Sequence, residues 1–206
     1  MSVANFLTHI KSQSPTFHCY ACGDKTESLS LVAQLSHALG SPADLTAIQL
    51  IQEYLGPDAD CFIELYSEHD GLTLYRDRRG DAEGLHLYNA EDWEPRTQEM
   101  KDGFSAMGFT PDECPAGVID SLAFAEIPHS GNYFTVKVSG SDRGSIFYAD
   151  HDDFTDTAFA QTLDEFLSRI VDDPAQFLYD VGCYTRYSDG KTPTQWIPKQ
   201  FQAAPK

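Results

Sequence analysis

Basic residues are scarce in this chain: 14 Lys and Arg stand against 32 Asp and Glu, for a formal charge of −18. That shortage excludes a surface that tracks a phosphate backbone, where Lys and Arg must replace condensed counterions, and one that adheres to anionic lipid. A charged macromolecular partner would therefore be basic, although acidity also keeps a protein soluble with no partner at all. Long apolar runs are missing too. The opening stretch MSVANFLTHIKSQS lacks the uninterrupted apolar core of a secretory signal, and no later stretch reaches the length needed to cross a bilayer. The expectation is a cytoplasmic protein that binds neither nucleic acid nor membrane.

Cysteine is sparse and odd in number. Five cysteines fit reduced thiols better than a disulfide framework. FHCYACG spaces Cys19 and Cys22 as a C-x-x-C beside His18, but a structural zinc site takes about four ligands, usually from two such knuckles, and Cys61, Cys114 and Cys183 stand singly and far apart. A thioredoxin-like pair would open a helix, whereas the following GDKTESLS reads as a polar turn. The chain also has no G-x-S-x-G elbow, no H-E-x-x-H and no phosphate-binding G-x-x-x-x-G-K-[ST]. His9, His37, His69, His86 and His129 are scattered, and each reads as an ordinary surface or satisfied histidine. No catalytic residue, metal ligand or cofactor is expected.

What is present is enough for one core. With 206 residues, 41% of them apolar, the chain is expected to fold as one compact domain. Residues 27–55 carry two apolar-periodic segments split by Gly40-Ser41-Pro42, which predicts two helices, the second capped by Ser41 with Pro42 in its first turn. Residues 58–70 fit a short helix or the start of a strand. Asp70-Gly71 turns into the alternating Leu72-Thr73-Leu74-Tyr75, and GLHLYNAEDW carries a second strand through Leu85 and Leu87. GNYFTVKVSG puts Phe134, Val136 and Val138 on one face and Tyr133, Thr135 and Lys137 on the other, and SIFYA pairs back as the second arm of a hairpin. Leu163, Phe166, Leu167, Ile170 and Val171 then form the apolar stripe of a covering helix. Helices, then a sheet, then a covering helix predict an α+β fold: a single domain with a central, mainly antiparallel sheet flanked by helices.

The order YSEHDGLTLY, YNAEDW, GNYFTVKVSGSDRGSIFYADHDD and TLDEFLSRIVDD resembles the SMI1/KNR4 family of the SUKH superfamily over residues 45–173. The resemblance rests on the order and hydrophobic type of these pieces. It implies an N-terminal extension over 1–26, a SUKH-like α+β domain over 27–189 and a C-terminal tail over 190–206. It further implies a non-enzymatic protein-binding domain: an immunity protein facing a polymorphic bacterial toxin or, alternatively, an adaptor or scaffold. A metal-dependent hydrolase is the remaining enzyme alternative.

ADHDDFTDT is where that alternative would sit, since Asp150, Asp152 and Asp153 with His151 offer hard oxygen donors and an imidazole. The register of a calcium loop is absent, because Phe154 stands where a ligand should and no Gly or terminal Glu follows in place. Two other readings stay open: these carboxylates cap and solvate the start of the next helix, or they contact a partner. Trp93, in an acidic turn, and Trp196, in the Pro-bounded TPTQWIPK, are the aromatic candidates for the same partner surface. A protein, with a basic toxin domain as the leading instance, is the expected partner.

Overall fold

The structure is a computed structural model that describes residues 1–21, 30–77, 84–152, 156–181 and 196–198. Its helices are α1 (Val3–Ser12), α2 (Leu45–Leu55), α3 (Asp60–Glu68), α4 (Trp93–Ala106), α5 (Leu163–Asp172) and α6 (Pro174–Asp180). Its strands are β1 (Thr16–Ala21), β2 (Ser30–Leu39), β3 (Leu72–Asp77), β4 (Leu85–Leu87), β5 (Ser121–Ile127), β6 (Asn132–Lys137), β7 (Ile146–Ala149) and β8 (Trp196–Pro198). Among the described residues the strands form one sheet in the order β7-β6-β5-β4-β3-β2-β1-β8, with every neighbouring pair antiparallel. The α+β expectation holds.

The β6–β7 hairpin forms as the alternation predicts, in the register Thr135↔Phe147 and Val136↔Ile146. Successive side chains of a strand point to opposite faces, and β6 uses this to carry two layers. Phe134 packs against Phe166 of α5 with ring centroids 4.9 Å apart, and Phe124 of β5 meets the same ring at 5.4 Å. Helices α1 and α3 pack beside α5 on that side. Tyr133 points the other way, toward α4. Thr135 lies fully buried on Tyr133's side and donates to the Gly117 carbonyl. That face of β6 is therefore covered by the 115–119 segment, whose Ile119 carbonyl also accepts from Lys137 Nζ.

Two local expectations are corrected. Residues 30–39 form a strand and not a helix: Leu31, Ala33 and Leu35 are buried at period two while Val32 is 45% exposed, and the segment pairs with both β1 and β3. The cap of α2 is Asp44, which accepts from the Ala47 N–H at 2.9 Å, so Ser41 and Pro42 lie before the helix. Leu45, at its start, is 81% exposed and no part of the core.

Between β2 and β3 the register slips at Ser36/Ala38, opposite Tyr75, whose φ of 58° is rare for a bulky residue. Tyr75 is held by both ends: its N–H donates to His37 Nδ1 and its buried hydroxyl donates to the Ile170 carbonyl of α5 at 2.6 Å. The strand is thereby tied to the covering helix. Burial first, and His9 second, push the His37 imidazole down from 6.5 to about 4.

Phe134→Ala should lower stability by about 3–5 kcal/mol, read by urea unfolding, while Leu45→Ala should stay within about 0.5 kcal/mol of the parent. His37 binds fewer protons folded than unfolded between about pH 6.5 and 4, so its contribution is complete above that window and is lost as pH falls through it. His37→Asn should therefore flatten the fall in the denaturant midpoint across that interval.

Candidate functional site

The acidic run begins where β7 ends. Asp150 Oδ1 accepts from the Asp152 N–H at 2.9 Å, which closes a local turn, and the backbone N–H and Nδ1 of His151 both reach Asn132 Oδ1, at 3.2 Å and 2.6 Å. Asn132, buried at the start of β6, is fixed in turn because its Nδ2 donates to the Tyr148 hydroxyl at 2.6 Å. A carboxamide oxygen only accepts, so His151 is bonded through Nδ1–H and its Nε2 lies 3.3 Å from Asp152 Oδ2. Asp150, His151 and Asp152 could bring one ligand atom each within 4.8 Å of one another. Among the described residues these are three donors on one loop, joined by no His, Cys, Asp or Glu from another element. Asp153 falls outside the described residues.

The capping role suggested for these carboxylates is corrected. The N-cap of α5 is Thr162, whose hydroxyl accepts from the Glu165 N–H. Asp150 and Asp152 lie well before it, and Asp152 is exposed.

Trp93 is also corrected, because its side chain is completely buried. It is surrounded by Tyr66 at 5.5 Å, Phe62 at 5.6 Å and Phe124 at 6.0 Å, and its indole N–H donates to the Tyr66 hydroxyl. An aromatic ring whose polar handle is satisfied inside the protein is a core residue and cannot touch a partner. Trp196 joins the sheet through β8, where its backbone pairs opposite Ala21, and its side chain lies outside the described residues.

Among the described residues the thiols and imidazoles do not converge. Cys19 is buried in β1, and Cys22 and Cys183 lie outside the described residues. Burial raises the Cys61 thiol pKa, and Asp164, Glu64 and Asp60 add to the shift; burial likewise raises that of Cys114. An activated thiol needs the opposite. His69 Nδ1 meets the Gly40 carbonyl at 2.7 Å and His86 Nδ1 meets Thr73 Oγ1 at 3.0 Å, so both serve local structure.

Two of the clefts on the described surface are lined by residues of interest. One, of about 220 Å³, lies between α3 and the start of α5; there Arg143 pairs with Asp58 at 3.5 Å and donates from Nε to the Leu55 carbonyl, which occupies its charge in closing the end of α2. The other, of about 250 Å³, lies beside the acidic loop. Its lining includes Met100, Gly103, Phe104 and Met107 from α4 and its end, Tyr133 from β6, and His151. Helix α4 is set in place by the buried Thr97, which donates to the Trp93 carbonyl and accepts from the Ala123 N–H of β5 at 2.8 Å.

Gly103 is the unexpected residue of this second cleft. Glycine inside a helix is about 1 kcal/mol less favourable than Ala, and a Cβ added here would meet nothing within 4 Å. Neither backbone strain nor close packing calls for it. Its missing side chain leaves the groove open above Met100 and Phe104. Gly103→Ala should accordingly raise the thermal midpoint by a few degrees, about 0.5–1 kcal/mol in stability, in a calorimetric scan.

A family model described as SMI1 / KNR4 family (SUKH-1) matches residues 42–169. The matched span takes in α2 through most of α5, and so the groove, the acidic loop and the aromatic core. No curated protein matches the chain. Among the described residues, no helix is long and apolar enough to cross a membrane.

Proposed function

Because the chain belongs to the SMI1/KNR4 family (SUKH-1), we propose that it is a non-enzymatic protein-binding domain, and specifically an immunity protein that neutralises a toxin encoded beside it. Membership of that family carries the reading. The charge of −18 supplies the physical means: an acidic protein captures a basic target quickly, because the summed field steers diffusional encounter. Toxins that attack nucleic acid need basic clefts to hold a phosphate backbone, and an acidic protein seated in such a cleft blocks it without any chemistry of its own. The raised Cys61 and Cys114 thiols accord with a role that needs no nucleophile.

Co-expression with the product of the adjacent gene tests this directly. A stable complex is expected, with an association rate that falls about tenfold or more between low and high salt as the steering field is screened. Failure of the two chains to co-purify would overturn the immunity reading and favour an adaptor of the same fold. A complex whose association is indifferent to salt would remove the electrostatic mechanism.

A further inference from the structure

We propose that the groove between α4 and the β5–β6 turn is the docking site, and that its occupant is a basic protein segment with an apolar anchor: an apolar side chain flanked by Lys or Arg. This rests on the protein-binding reading above and names the surface and the chemistry it selects.

The floor of the groove is apolar and adaptable. Met100 and Phe104 lie at its base, and Met107 at its end is 47% exposed, so base and end together present a continuous apolar strip. Methionine is flexible and polarisable, which suits a surface that must fit an incoming side chain. Gly103 leaves room between them. An apolar anchor entering here would remove Met107 from water and fill the space.

The rim is acidic. Asp150 and Asp152 flank His151 on one side, with Asp152's side chain 84% exposed. Glu99 lines the groove from α4, and the Tyr133 hydroxyl pKa is raised first by burial and then by Glu126 and Glu99, with the Arg96 charge opposing them. Arg96 pairs with Glu99 at 2.8 Å and lies over the Tyr88 ring at 5.2 Å, so it offsets the α4 carboxylate and leaves the acidic charge of the rim to Asp150 and Asp152. A neutral or acidic segment would gain only the apolar contact here. A segment with Lys or Arg beside its anchor would also meet the Asp150 and Asp152 carboxylates, and it is this charge complementarity that selects the occupant.

The geometry also separates this face from the rest of the fold. Tyr133 and Phe134 point to opposite faces of β6, so the groove lies across the sheet from α5 and its aromatic cluster. The groove can be altered without touching that cluster.

Panning a phage-displayed random peptide library on the intact protein tests the proposal without knowledge of the natural partner. Enriched peptides should share an apolar residue flanked by Lys or Arg. The synthetic consensus peptide should bind the parent and lose about tenfold or more in affinity to Gly103→Trp, which plugs the groove, and to Met107→Asp, which makes its exposed wall polar. Asp152→Lys should weaken binding more than Asp172→Lys, which makes the same change of net charge at the end of α5. The thermal midpoint of Gly103→Trp reports whether it folds, a Cβ alone meeting nothing within 4 Å; should it unfold, Met107→Asp at an exposed site still decides. No enrichment of the basic-apolar pattern, or a consensus peptide indifferent to both groove variants, would overturn the groove. The protein-binding reading fails separately: an adjacent gene product that does not bind the parent sinks immunity, whereas one that binds the parent and Gly103→Trp equally sinks the groove alone.

Discussion

The alternation of one strand, β6, sets the architecture. Phe134 is committed to the ring cluster with Phe166 and Phe124, and the two-residue repeat of a strand then obliges Tyr133 to face the other way. A slip of one residue would send the apolar set to the wrong side. The register with β7 and β5 prevents this, and Asn132 reinforces it at the strand's start by gripping both the Tyr148 hydroxyl and His151. The same side-chain amide that fixes the hairpin thus fixes the acidic loop.

From this follows a division of labour between the two faces of the sheet. One face is closed by α1, α3 and α5 around aromatic rings. The other carries α4, tethered by Thr97 to the β5 backbone, while Trp93 at its first turn reaches the Phe62, Tyr66 and Phe124 rings of the first face. Farther along the same helix the side chains thin out: Gly103 contributes nothing, Met107 stands half exposed, and carboxylates of α4, β5 and the loop after β7 gather around the gap. A rigid helix start and an open helix end are what a recognition groove requires, because the walls are held by the core while the space between them is free.

Much of this was legible in the sequence, and the failures have physical causes. The β6–β7 hairpin and the α5 stripe were readable because each pattern suits a single period. LVAQLSHAL in β2 suits two, and pairing with β1 and β3, distant in sequence, decided for the strand. Trp93 sits in an acidic turn and reads locally as exposed, yet Phe62, Tyr66 and Phe124 enclose it through tertiary contacts that no local pattern encodes. The groove was missed because EPRTQEMKDGFSAM is polar enough to hide its stripe. Its signal was there all the same, in Trp93, Thr97, Met100 and Phe104 at helical spacing with a glycine that such a helix has no conformational reason to hold.

Hydrogen–deuterium exchange of the protein, alone and in complex with the product of the adjacent gene, tests most directly the claim that one face is core and the other recognises a protein. Slowed exchange across the second half of α4, the β5–β6 turn and the 150–152 loop, with α1 and α5 unchanged, is the expected result. Slowed exchange on α1 and α5 with α4 unaffected would contradict it.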